Sequence, residues 1–389
     1  MTGKMEVPFF RFESSEAELS NLQSVLESGW LTTGRYATEF EQAFAEASRC
    51  KFALAVNSCT AALHLALEAA DIGEGDAVIV PSLTFTATAE IVRYLGAHPV
   101  LVDIDPDTGL MTGDHVQRAV QDHDNIKACI VVHFAGQSAE LIGDYGIQTA
   151  CQQHGIALIQ DAAHAFPAAD VYGPVGCIGE ATCFSFYANK TITTGEGGML
   201  VTNCQKIADR ARLMRLHGID RDVWQRFTSK HASWEYDVIA PGYKYNMPDI
   251  NASIGLAQMQ KADEYRIKRQ AIALRYIEHF TDVADVSVLK CRVTPEQHAW
   301  HLFPIILQPK AAVSRNEMIE HLKNDRIGTS VHYKPLHRMT YYARKYQLRP
   351  EDFPHTEHFW QGAVSLPIFP SMTIRQVDYV SERVKHYLL

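Results

Sequence analysis

From residue 52 onward, short apolar β-rich runs alternate with helical patterns, and this alternation constrains the fold more than any other feature of the chain. Residues 52–56, 77–80, 99–103, 128–132 and 156–161 read as strands. Helical patterns at 60–70, 86–95, 115–121 and 141–154 lie between them. Strand, helix, strand at this spacing predicts an α/β fold with a mostly parallel sheet covered by helices on both faces. Such sheets bind ligands beyond the carboxyl ends of their strands. Two further strands, 182–186 and 198–202, flank a loop, and 207–217 is helical. Between 217 and 240, where Trp224 and Trp234 sit among many charges, the periodicity fails and a loop or excursion is expected. Residues 250–280, with Ile254, Leu256, Met259 and Ile267, read as one long helix. It would join a large domain, 1–249, to a smaller α+β domain, 250–389, with strands at 301–307 and 329–333 and helices at 316–323 and 374–388.

With 389 residues, 47% hydrophobic and 21% charged, the chain can bury a large core. A formal net charge of −9 argues against nucleic acid or an anionic membrane as the main partner. It leaves room for an anionic small substrate in a local basic pocket. None of the eight cysteines forms a CxxC pair, so no metal site is expected and the thiols read as reduced. The first residues lack the apolar core of a secretion signal, and no uncharged apolar stretch is long enough to span a bilayer. The expectation is a soluble, cytoplasmic protein.

Three segments carry the candidate chemistry. Residues 184–198 read FSFYANKTITTGEGG, which puts Lys190 between an aromatic strand and a glycine-rich stretch. A lysine amine forms imines with carbonyl compounds, and burial makes it more reactive; a solvated loop lysine is the alternative. Residues 156–165 read IALIQDAAHA, where Asp161 ends an apolar strand. A carboxylate there can hold a pyridine nitrogen protonated, as in enzymes that use pyridoxal phosphate; a helix cap is the equal alternative. Residues 56–63 read VNSCTAAL, a strand end running into a helix start. Free amides and the helix dipole make this a phosphate seat, with plain capping as the alternative.

The order and wording of these motifs resemble the DegT/DnrJ/StrS family of nucleotide-sugar aminotransferases, fold-type I enzymes that use pyridoxal phosphate. GWLTTG, NSCTAALHLAL, PSLTFTATA, QDAAHA, FSFYANKTITTGEGGML, GYKYNMPDINA and SVHYKPLH fall in the family's order over nearly the whole chain. The resemblance implies that Lys190 binds the cofactor covalently and shuttles protons. Asp161 would pair with the ring nitrogen, His164 would lie near the phenolic oxygen and Phe85 would stack on the ring. Cys59 (through its backbone), Thr60 and Ser185 would hold the phosphate, joined by Asn246 from a neighbouring subunit of a homodimer. Lys244, Lys334 and Arg338 are candidates for a substrate pyrophosphate, and His332 and Tyr333 for the sugar. Two departures stand out: Cys59 occupies a place where a smaller residue is expected, and Gln160 replaces an acidic residue.

The implied reaction moves an amino group from glutamate to a keto sugar on a nucleotide, first a 4-keto-6-deoxyhexose, for polysaccharide or amino-sugar biosynthesis. A 3-keto sugar or a keto-cyclitol is the alternative acceptor. Relatives that dehydrate the sugar have histidine where this chain has Lys190. A non-catalytic binding protein on the same fold is the alternative of another class.

Overall fold

The computed structural model describes residues 4–220 and 236–389. Trp224, Trp234 and most of the expected excursion lie outside the described residues.

Seven strands form the main sheet: β1 (Phe52–Val56), β2 (Ala77–Pro81), β3 (His98–Val102), β4 (Ile126–Val132), β5 (Ala157–Asp161), β6 (Ala181–Ser185) and β7 (Gly198–Thr202). Their order is β1-β7-β6-β5-β4-β2-β3. β7 pairs antiparallel with both β1 and β6, and every other pairing is parallel. The carboxyl ends of β1, β2, β4, β5 and β6 therefore share one edge, and β7 enters there. These strands are nearly continuous apolar runs because both faces are covered. The Cys59–Ala69 helix is buried almost all round between the sheet and its neighbours.

Two helices precede the first strand, and the alternating pattern gave no expectation of either. Glu16–Ser28 starts in a Ser15/Glu18 capping box and stops at Gly29, whose φ of 70° is left-handed. Arg35–Ser48 lays Phe40 and Phe44 against Phe184 and Phe186 of the β6 segment, at ring separations of 4.9–5.0 Å.

The expected 250–280 helix is two helices, Asp249–Met259 and Ala262–Phe280. Glu18 accepts hydrogen bonds from Gln258 and from Lys261, one at the end of the first helix and one within the break. The apolar period runs on through the break, so the sequence pattern does not show it. The 141–154 helix begins only at Ile147. Residues 329–333 are not a strand; Ser330 makes one bridge to Ser365. The small sheet instead pairs Val286–Val288, Phe303–Leu307 and Ala363–Leu366, all antiparallel. Its core draws on Ile272, Tyr276, Ile305, Val364 and Val380.

Candidate active site

The shared edge of the main sheet opens into a cavity of about 510 Å³. Five strand ends supply its walls: Ser58–Thr60 after β1, Thr84 and Phe85 after β2, Val132 of β4, Asp161 of β5, and Ser185 with Lys190 from β6 onward. His332 and Tyr333 close it from the C-terminal part of the chain.

Asp161 is buried, and burial pushes its carboxyl above the ordinary range. Three groups act against this. Thr88 Oγ1 donates to Oδ2 at 2.8 Å, the Ala163 amide donates to Oδ1 at 3.1 Å, and the Lys190 ammonium lies nearby. Thr84 Oγ1 stands 2.7 Å from Thr88 Oγ1, so the two hydroxyls form a chain directed at the carboxylate. No helix follows Asp161, so the helix-cap alternative drops out; its amide contact is a local turn two residues on.

Burial pushes the Lys190 amine down to about 8, against the Cys59 and Asp161 side chains, which favour its charged form. Lys190 is half-buried and lines the cavity, so it is not a fully solvated loop lysine. The Cys59 thiol lies 4.0 Å from Asp161 Oδ1, and burial holds it well above the ordinary thiol range. That contact gives its side chain a place the sequence did not supply: a neutral, weak donor beside the carboxylate.

At the helix start, Ser58 Oγ accepts the Ala61 amide at 3.1 Å and Ser58 O the Ala62 amide. The Cys59 and Thr60 amides come before these, where a helix has no acceptors of its own. β7 runs close beside this turn. A Cβ at Gly198 would come under 3.0 Å from Ser58 C and Cys59 N, so only glycine lets strand and helix start approach this closely.

His164 Nε2 is 2.9 Å from the Tyr333 hydroxyl, while its Nδ1 is buried with no partner. Burial, then Lys190 and His332, keep His164 neutral. Phe85 is 56% exposed at the mouth, its ring 5.7 Å from that of Tyr333. Gln160 is satisfied without an acidic neighbour: it bonds His133 Nε2 at 2.7 Å and the Ile178 carbonyl.

The cavity thus brings together Cys59, Thr60, Phe85, Asp161, His164, Ser185, Lys190, His332 and Tyr333. Four candidates lie outside its lining. Asn246 bridges to Val56, donates to Thr33 Oγ1 at 2.7 Å and accepts from Lys244; it faces a separate cleft with Arg210 and Arg212. Lys334 does not line the cavity, and Arg338 is engaged by Glu357. The sequence reading missed Thr84, Thr88 and Asn189, whose buried Oδ1 has no partner. Thr84 and Thr88 lie inside the quoted PSLTFTATA stretch, but their chain depends on the fold bringing Thr88 to Asp161, 73 positions away at the end of β5.

Pyridoxal phosphate requires an amine for its aldehyde, an anion seat for its phosphate and an acid for its ring nitrogen. Lys190, the Ser58–Thr60 turn and Asp161 meet these needs around one cavity, and the unpartnered His164 and Asn189 atoms leave polar capacity for a ligand. Fold and site together define a fold-type I aminotransferase dependent on pyridoxal phosphate. The chain belongs to the DegT/DnrJ/EryC1/StrS aminotransferase family, which residues 13–385 match. It is 41% identical over 375 residues to the spore coat polysaccharide biosynthesis protein SpsC of Bacillus subtilis, covering 95% of this chain and 93% of that one. The putative sugar aminotransferase Spr1654 of Streptococcus pneumoniae, in a pyridoxamine phosphate form, superposes with a TM-score of 0.88 at 30% identity over 98% of this chain and 99% of its own. Helicobacter pylori PseC, an aminotransferase of pseudoaminic acid biosynthesis, gives 0.89 at 28% identity over 99% of each chain. Among the described residues no helix is long and apolar enough to cross a membrane, and no cluster could hold a metal ion.

Proposed function

We propose that this chain transfers an amino group from glutamate to a keto sugar carried on a nucleotide, with an NDP-4-keto-6-deoxyhexose as first acceptor and a 3-keto sugar or keto-cyclitol as the alternative. Polysaccharide or amino-sugar biosynthesis in the cytoplasm is its setting. The observation that carries the aminotransferase chemistry is Lys190 with a lowered pKa beside buried Asp161 in one cavity. The sugar rests on what the relatives are called: a polysaccharide biosynthesis protein, a putative sugar aminotransferase and an aminotransferase of pseudoaminic acid biosynthesis.

Pyridoxal phosphate, when bound, supplies an aldehyde that takes up the amino group and a ring that draws electrons from the adjacent carbon. Lys190 holds it, and once displaced its Nζ takes and returns the proton at the reacting substrate carbon. An amine near 8 is suited to both directions of that transfer. Asp161, supported by Thr88 and Ala163, keeps a proton on the ring nitrogen. Thr60, Ser185 and the Cys59 amide seat the phosphate. Phe85 would cover one ring face, and His164 would lie near the phenolic oxygen. His332 and Tyr333 meet the sugar. Asn246, which does not line its own cavity, serves the phosphate of a second copy in a homodimer, with Lys244 and Lys334 for the pyrophosphate. We take residues 1–249 as the large cofactor-binding domain and 250–389 as the connecting helices with the smaller one.

The test is a screen of keto-sugar nucleotides with glutamate, reading 2-oxoglutarate. Release with a 4-keto sugar is expected, and no release with any of them sinks the first choice of acceptor. The shared site has its own test. Mixing Lys190→Ala and Asn246→Ala chains, each inactive alone, should restore activity through one intact site per hybrid dimer. Mixtures that stay inactive despite subunit exchange refute it.

A further inference from the structure

His337 closes the SVHYKPLH stretch and takes no part in the chemistry above. It is buried between two partners. Ser82 Oγ lies 2.6 Å from its Nδ1, and Glu357 Oε1 lies 2.6 Å from its Nε2. The carboxylate accepts from Nε2–H, which leaves Nδ1 bare to accept the Ser82 hydroxyl. Glu357 is fixed in turn by Arg338, whose guanidinium also stacks 4.8 Å over the Trp360 ring. The backbone repeats the link, with the Leu336 amide donating to Ser82 O at 3.0 Å.

A serine, histidine and carboxylate in a row is also the arrangement of a hydrolase. Here Ser82 is 0% exposed and His337 1%, and neither lines the cavity, so no substrate reaches the hydroxyl. The row does something else. Ser82 follows β2 directly, and the next turns carry Thr84, Phe85 and Thr88. Thr84 and Phe85 line the cavity, and Thr84 and Thr88 form the hydroxyl chain to Asp161. On the other side, the segment ending at His337 carries His332 and Tyr333, which line the same cavity, the Tyr333 ring 5.7 Å from that of Phe85. Glu357 sits on the Pro354–Gly362 helix, 20 positions beyond His337.

We propose that Ser82 and His337 form a strut that sets the spacing of these two cavity-lining segments, with Glu357 fixing the tautomer of the imidazole and His337 a positioning residue for cofactor grip. The strut acts on the Phe85 face and, through Thr84 and Thr88, on Asp161. It rests on the reading of the cavity as the cofactor site.

The experiment titrates the cofactor-free full-length chain with pyridoxal phosphate, follows the absorbance of the bound form and records thermal unfolding alongside. Ser82→Ala and His337→Gln, which keeps only the Glu357 end, should weaken binding about tenfold, the scale of one lost buried hydrogen bond. His337→Asn places its amide where Nδ1 stands, keeps the Ser82 end and should bind within about threefold of the parent chain. At saturating cofactor, Ser82→Ala turnover should return to about a third of the parent value or better. Ser381→Ala removes an equally buried hydroxyl bonded to Val377 O in the Ile374–Leu388 helix, and should lower the melting temperature with cofactor affinity unchanged. The proposal is overturned if Ser82→Ala and His337→Gln bind like the parent and only melt earlier, as Ser381→Ala does. It is overturned equally if His337→Asn loses as much affinity as His337→Gln. Ser82→Ala, the mildest change, carries the test if a His337 variant does not accumulate. A parent chain that takes up no cofactor overturns the reading beneath, and the strut's role with it.

Discussion

Thr88→Val isolates one hydrogen bond at the centre of the site. The two side chains have nearly the same shape, so the change removes the 2.8 Å donation to Asp161 Oδ2 and little packing. Asp161 keeps the Ala163 amide and the neighbouring Lys190. Burial already favours its neutral form, and Thr88 is the strongest group opposing this, so its loss moves the carboxyl further up. A neutral Asp161 does not hold a protonated ring nitrogen. A hydrogen bond to a charged group contributes about 1.5–3 kcal/mol, which corresponds to roughly 10- to 100-fold in cofactor affinity. Thr84→Val leaves Thr88 able to donate and breaks only the 2.7 Å link behind it, so its loss should be several-fold smaller. Absorbance titration of the cofactor-free chain measures both, and thermal unfolding checks that each variant is folded. If Thr88→Val binds within twofold of the parent while Asp161→Asn fails to bind, the hydroxyl chain does not tune the carboxylate and the argument is wrong.

Capture of pyridoxal phosphate by the cofactor-free chain needs the neutral Lys190 amine, so its rate should rise about tenfold per pH unit below about 8 and level above it; a stopped-flow series that is flat from pH 6.5 to 9 refutes this. Gly198→Ala should cost about 1–3 kcal/mol of stability and displace the Ser58–Cys59 turn, weakening phosphate binding as well as the fold; urea denaturation and inorganic phosphate competition read the two effects. Burial lowers His64, His133 and His332 to about 4 and His298 to about 3, so each is neutral in the fold at a pH where the unfolded chain takes up a proton. Their folded-state values lie below the unfolded one, so the stability is present above about pH 6.5 and is lost as pH falls towards 4, with on the order of 1.4 kcal/mol per group per unit shift. A urea midpoint that stays constant between pH 7 and pH 5 would contradict this.

Five of the seven strands of the main sheet were legible from the alternation alone, and β6 and β7 from the runs around the glycine-rich loop. Each is a buried apolar run bounded by a turn or a helix start, and that is a local signal. Lys190, Asp161 and the VNSCTAAL turn were legible because each sits at a strand end, and parallel strands bring such ends to one edge. The misses have a different physical origin. The break at residues 260–261 is pinned by Glu18, some 240 positions away, and leaves the helical period intact. The two N-terminal helices carry no alternation with strands, and Phe40 and Phe44 acquire meaning only against Phe184 and Phe186. Arg338 is a candidate for a substrate pyrophosphate by its place in the sequence, but Glu357 takes it.

Lys190 and Asp161 are perturbed by the same cause and in the same sense. Burial disfavours the charge on each, and each is the other's nearby opposite charge. Two such groups in one cavity do not simply cancel, because a pair stripped of water is costly unless further hydrogen bonds complete it. Only Asp161 has them, from Thr88 and Ala163. The asymmetry fits the proposed roles: Asp161 is held in place, as a partner for the ring nitrogen would need to be, while Lys190, whose amine makes no hydrogen bond among the described residues, is left free to gain and lose a proton. Replacing Asp161 by Asn should therefore abolish turnover without a loss of stability in the cofactor-free chain, since it removes a buried charge along with its function. A marked destabilisation would mean that the carboxylate holds the fold together, and that its place in the site is secondary.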